Sequence, residues 1–154
     1  MPHALNLTIP IRQDAETQGR LAQLKEVFAT QVQPKIDNAL RESQIVHSAR
    51  VLVVDDKYLQ VITVYDGDHL EYTEFFRQKL PDVFGLLFSL ADKPPNSADL
   101  DDPNAFFEYA KSCQIRSLGQ SNDGLTGTDG QSEGYLFSAF GETPVKTILA
   151  KLNG

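Results

Sequence analysis

The sequence predicts an α+β fold, a split βαβ arrangement in which a four-stranded antiparallel sheet carries helices on one face. Three observations predict it. Between Val46 and His69, two runs dense in β-branched and aromatic residues, Ala49 to Val54 and Tyr58 to Tyr65, are separated by Asp55, Asp56 and Lys57, the pattern of a hairpin. Stretches with helical spacing of apolar residues lie on both sides of that hairpin. An alternating or aromatic-rich run stands near each end of the chain, Ala4 to Ile11 and Tyr135 to Phe140, to supply the outer strands.

The first strand follows from Leu5, Leu7, Ile9 and Ile11 alternating with Asn6, Thr8 and Pro10, with Pro10 placed near the strand end because it has no amide proton. Asp14 is positioned to cap a helix whose apolar residues are Leu21, Leu24, Val27, Phe28 and Val32. Pro34 should break or kink that helix, the pattern then continuing through Ile36, Ala39 and Leu40 to about Glu42 with Pro34 tolerated as the first residue of the new turn. The hairpin comes next, and a simple two- or four-residue loop register would set His47 opposite Asp66 and Arg50 opposite Thr63.

Asp68, with Glu71 three positions on, has the spacing of a helix start, and the apolar residues run from Leu70 to Leu80 before Pro81 restarts the pattern. Asp102 and Pro103 read as the cap and first residue of a shorter helix carrying Phe106, Phe107 and Tyr109. Leu118 to Gly134 holds five glycines and almost nothing apolar, so it is expected to be a mobile loop. Its Asp123, Asp129 and Glu133 lack the alternate-residue ladder of a calcium loop. Tyr135 to Phe140 is expected as the last strand, with Thr143 and Pro144 capping a final helix that carries Val145, Ile148, Leu149 and Leu152.

Composition narrows the function classes. A chain of 154 residues fits one domain, 1–154. A net charge of −7 argues against nucleic-acid or membrane-surface binding, because either needs a basic face. The single cysteine, Cys113, forms no intrachain disulfide and no metal-ligand spacing, and reads as an apolar filler beside Phe106 and Tyr109. With neither a signal-peptide pattern at Met1 to Thr8 nor a run of transmembrane length, a cytoplasmic protein is the expectation. Hydrolase elbows, phosphate loops, dinucleotide glycine patterns and paired-histidine zinc motifs do not occur.

The hairpin carries apolar residues on both faces, Ala49, Val51 and Val53 on one and Leu52 and Val54 on the other. Helices cover only one face, so homodimerisation sheet to sheet is expected.

The order of elements, with H-S-A-R-V-L-V-V in the first hairpin strand, Y-D-G-D after the second, and Y-L-F-S-A-F before a capped helix, resembles the ferredoxin-like dimeric α+β barrel superfamily. In particular it is similar to a poorly characterised bacterial group with H-x-A-R and Y-D-G motifs. The superfamily includes cofactor-free monooxygenases, small isomerases, haem-degrading enzymes, dye-decolourising peroxidases and chlorite dismutases, so membership alone decides no chemistry. The resemblance implies that Asn6 could match a catalytic asparagine of the oxygenases. Haem-degrading enzymes also use a tryptophan, which this chain lacks, and His69 at a helix start is a poor match for a proximal haem ligand. Y-D-G-D is only a fragment of the glycine-rich peroxidase motif.

The candidate catalytic residues are therefore His47, Arg50 and Asn6, and the candidate ligand-binding residues Arg50, Thr63, Tyr65 and Asp66. Asp66 beside His47 would orient an imidazole for proton transfer, or the pair could simply pin the mouth of the hairpin. Arg50 in an apolar strand needs a partner, either a ligand carboxylate or an acidic residue of a second copy. His3, near the terminus, is expected to be solvated. Aromatics such as Tyr72, Phe75, Phe76, Phe84, Phe88, Phe106, Phe107, Phe137 and Phe140 are mostly core, with two or three left to line a pocket between sheet and helices. The resulting expectation is a dimeric binder of a small apolar or aromatic molecule, acting without a cofactor as an oxygenase or isomerase. The alternatives are a haem-binding protein and a non-catalytic homodimeric interaction module.

Overall fold

The computed structural model describes residues 2–95, 102–121 and 133–154. The fold is α+β. Strand β1 (Pro2–Pro10) leads into α1 (Ala15–Val27), a π-helical turn (Phe28–Val32) and α2 (Gln33–Ser43). The hairpin β2 (Val46–Val54) and β3 (Tyr58–Asp66) follows, then α3 (His69–Lys79), α4 (Pro81–Phe88), α5 (Pro103–Ser112) and α6 (Val145–Asn153). Aspartate caps set three helix starts as the spacing predicts: Asp14 accepts from the Thr17 amide, Asp68 from Glu71, and Asp102 from Asn104 and Ala105. At Pro34 the helix does not break. The π-helical turn lets the Gln33 amide reach the Phe28 carbonyl, and the proline then falls in the first turn of α2, where an amide proton is not needed.

The sheet is antiparallel in the order β1-β3-β2, so β1 and β2 run alongside the central β3. Its register differs from the simple expectation. Asp55 and Asp56 both adopt left-handed backbone (φ 54° and 53°), the Lys57 amide bonds back to the Val54 carbonyl at 3.0 Å, and Val54 pairs with Tyr58 across a three-residue turn. Arg50 therefore lies opposite Ile62, and Ala49 lies opposite Thr63. Because alternate residues face opposite ways, the one-residue difference puts Arg50 on the other side of the sheet from Thr63 and Tyr65. A bulge between Val46 and Ser48 leaves His47 as the extra residue, with Val46 opposite Tyr65.

One face of the sheet is covered. Leu5, Leu7 and Ile9 of β1, with Leu59 and Tyr65 of β3, are buried against Leu21 and Leu24 of α1, Tyr72 and Phe76 of α3, Leu87 and Phe88 of α4, and Phe106 of α5. Phe88 anchors the aromatic cluster, with ring centroids 5.7 Å from both Phe84 and Phe106 and 4.9 Å from Tyr109. The other face carries Ala4, Asn6, Thr8, Ser48, Arg50, Leu52, Val54, Tyr58, Gln60, Ile62 and Val64, none of them buried.

The expected fourth strand, Tyr135 to Phe140, takes no strand pairing among the described residues. The edge of β1 where it would add is already occupied. The Thr8 amide donates to the Cys113 carbonyl at 2.8 Å, the Ile115 amide to the Asn6 carbonyl at 2.9 Å, and Leu7 forms an antiparallel bridge with Gln114. Residues 135–140 instead leave the Leu118 carbonyl, which accepts from the Tyr135 amide, and run into a turn closed by Gly141 bonding back to Ser138. The expected cap of α6 by Thr143 is also replaced: Pro144 precedes the helix with no local side-chain cap. Of the expected mobile loop, residues 122–132 lie outside the described residues, and Asp123 and Asp129 with them. Among the described residues no helix is long and apolar enough to cross a membrane.

Candidate functional site

The chemistry-bearing residues gather at the open end of the hairpin, where β2 enters and β3 leaves. His47 is placed there by the bulge, and its Nε2 lies 2.7 Å from Asp66 Oδ1, a close pair despite the changed register. Asp66 is 9 % exposed. Its second oxygen, Oδ2, accepts the backbone amide of Val145 at 2.8 Å, and its own amide donates to the Ile45 carbonyl at 2.7 Å. Val145 opens α6, so a carboxylate from β3 satisfies a helix-start amide 79 residues away and lies at the positive end of the helix dipole. The bonds of Asp66 thus join β2, β3 and α6 at one point.

Beside this junction, on the covered face, Tyr65 stacks on Tyr72 with ring centroids 4.2 Å apart, and the Tyr72 hydroxyl lies 3.0 Å from Thr63 Oγ1. Burial in this apolar layer pushes the Tyr72 hydroxyl up to about 12 and also raises Tyr65, so both are firmly protonated at neutral pH. His3 is not solvated as expected. Its Nδ1 lies 3.0 Å from Glu133 Oε2, and its ring centroid lies 5.6 Å from that of Tyr65.

A scan against protein-family models finds no match to this chain, and searches of curated proteins and of solved structures find none either.

The site residues expected from sequence separate into two groups. His47 and Asp66 meet at the hairpin mouth, with Tyr65 and Thr63 on the covered face. Arg50 and Asn6 share the uncovered face, flanking Ile62 in one row across the sheet. The sheet itself lies between Arg50 and the side chains of Thr63 and Tyr65, so those three do not converge on one ligand. Asn6 is already engaged, its Nδ2 donating to the Ile115 carbonyl at 3.0 Å and to Ser117 Oγ at 2.9 Å. It fastens the 113–117 segment to β1. Arg50 is exposed and has no hydrogen-bond or ion-pair partner among the described residues. His69 opens α3, and its side chain lies outside the described residues.

Between sheet and helices, the cavity bounded by Leu7, Tyr72, Phe84, Phe88 and Phe106 measures about 20 Å³, room for about one water and far below the ~300 Å³ of a small-molecule pocket. A larger cavity, about 330 Å³, opens beside Pro2 and Ala4 and is bounded by Ser121, Glu133, Phe137 and Glu142. Neither the pairing of Glu133 with His3 nor that of Asp66 with Val145 is predicted by the sequence. Contacts across such separations leave no local spacing signal.

Proposed function

We propose that this chain acts as a homodimeric interaction module of the ferredoxin-like, dimeric α+β barrel type, its two copies joined through the uncovered sheet face. The observation that carries this reading is the composition of that face. Leu52, Val54, Tyr58, Ile62 and Val64 are all at least partly exposed on a single sheet surface, with Asn6 and Thr8 along β1, Gln60 between Tyr58 and Ile62 on the central strand, and Arg50 beside Ile62 on β2. An exposed sheet face of this apolar content is what association buries. The strand order β1-β3-β2, with β1 edged by the Gln114 bridge, supports the ferredoxin-like assignment, residues 113–117 standing where the fourth strand would be.

Sedimentation velocity from sub-micromolar to high concentration tests the proposal. A dimer that Ile62→Asp converts to a folded monomer is the expected result, and a concentration-independent wild-type monomer would overturn it. A second reading, a binder of a small apolar or aromatic molecule, is favoured by the 330 Å³ cavity beside Pro2 and Ala4, a size that ligand pockets commonly take. Native mass spectrometry of gently purified protein separates the two. Retained non-covalent small-molecule mass supports the binder, and an empty dimer supports the module.

A further inference from the structure

We infer that each copy in the dimer presents the segment from Tyr135 to Glu142 to the uncovered sheet face of the other, with Phe137 and Phe140 as the apolar anchors and Glu142 as the counter-charge to Arg50. This deepens the homodimer reading and rests on it. The argument begins from an imbalance. Phe137 is 71 % exposed and Phe140 61 %, although both are large aromatics in a segment whose backbone is held by the Tyr135–Leu118 bond and by the Ser138–Gly141 turn. Two phenylalanines on an anchored backbone with solvent around them are placed to meet another surface.

The acceptor is on the same chain. The uncovered face offers Ile62 and Val64 on its central strand and Leu52 on β2, and the cavity that Ala4 of that face shares with Phe137 and Glu142 sets the segment beside the face. A two-fold pairing satisfies both at once, because the same two patches meet twice. Charge favours the same match. The face carries a cation, Arg50, with no acidic partner among the described residues, and Glu142 of the segment is exposed with no cationic partner among them. An unpaired guanidinium closed into an apolar interface would strongly oppose association, whereas pairing it with a partner's carboxylate removes that opposition and fixes the relative placement of the two copies.

Two measurements test this. In the first, dimer dissociation constants are obtained by sedimentation for the wild type, Phe137→Ala/Phe140→Ala, Arg50→Glu, Glu142→Arg and the double reversal Arg50→Glu/Glu142→Arg. The phenylalanine pair is expected to weaken the dimer at least about a hundredfold. Each single reversal should weaken it, and the double reversal should recover at least about tenfold. In the second, made in a Cys113→Ser background, a Phe137→Cys chain is mixed with a separately tagged Ile62→Cys chain and oxidised. A disulfide joining the two tags is expected. A wild-type dimer that the phenylalanine changes leave intact, reversals without recovery, or no mixed disulfide would overturn the segment's role while leaving the dimer standing. A wild-type monomer at all concentrations would remove the dimer and this inference together.

Discussion

Replacing Asp66 by alanine tests whether the hairpin mouth is a structural junction. The change removes two things together: the 2.7 Å contact to His47, and the 2.8 Å acceptor for the Val145 amide, which among the described residues is the side-chain cap of α6. A lost helix cap costs about 1 kcal/mol, and a charge-assisted hydrogen bond at a largely buried site about 1.5–3 kcal/mol. The sum is about 2–4 kcal/mol, which for a chain of this size lowers the melting temperature by roughly 5–15 °C. Urea unfolding followed by circular dichroism gives the free energy, and amide exchange locates it. Exchange at Val145 and the next turn of α6 should accelerate well beyond the global change, since that helix loses its attachment to β3. Asp66→Asn, which keeps an acceptor for Val145, should lose less than half as much. A loss below about 0.5 kcal/mol, or α6 exchange that merely follows global stability, would refute the account of Asp66 as the junction.

Other expectations follow from the core and the turns. Phe88→Ala removes the central ring of the aromatic cluster and should cost about 3–5 kcal/mol in urea unfolding, a cost of less than 1 kcal/mol counting against a tightly filled layer. Tyrosine in the unfolded chain ionises near ~10, whereas folding holds Tyr72 protonated up to about 12, so the unfolded state loses its proton first as pH rises. The stability gained from burying the neutral hydroxyl is thus complete below about pH 10 and is lost toward pH 12, by about 3 kcal/mol. Tyr72→Phe should flatten that alkaline decline. Gly134 has φ +92° and a Cβ there would meet the Ser117 carbonyl oxygen at 2.1 Å, so Gly134→Ala should free the Tyr135 amide from Leu118, seen as faster exchange at Tyr135 alone.

What was legible in the sequence is what local spacing encodes. An aspartate two or three residues before a donating helix-start amide marks that start wherever it falls, so Asp14, Asp68 and Asp102 announced theirs. Alternation in β1 and β-branched density in β2 and β3 announced strands. The register was not legible, because Val51 to Val54 are apolar on both faces and the pattern gave no reason to prefer one pairing over its neighbour. The turn decided it, through two aspartates in left-handed backbone. Tyr135 to Phe140 looked like a strand because its composition is strand-like, but a strand also needs a free edge, and residues 113–117 hold that edge. His47 with Asp66 was found through the hairpin. His3 with Glu133 and Asp66 with Val145 were not, since those partners are brought together only by the tertiary fold.

The bulge at His47 also bears on how the chain avoids a competing structure. Extending the Val46–Tyr65 pairing along the whole hairpin would set Arg50 against Val61 and Val53 against Tyr58, with a four-residue loop and no bulge. That competitor exchanges Ala49, Val51 and Val53 on the covered side for Ser48, Arg50 and Leu52, with Val54 falling in the loop. It would also bring Arg50 beneath the helices, where an unpaired guanidinium costs several kcal/mol. Arg50 thus disfavours a misaligned hairpin that an apolar residue at its position would make more competitive. A chain carrying valine there is expected to divide between two alignments, visible as doubled β2 resonances. An arginine open to solvent would then shape the molecule through the arrangement it forbids.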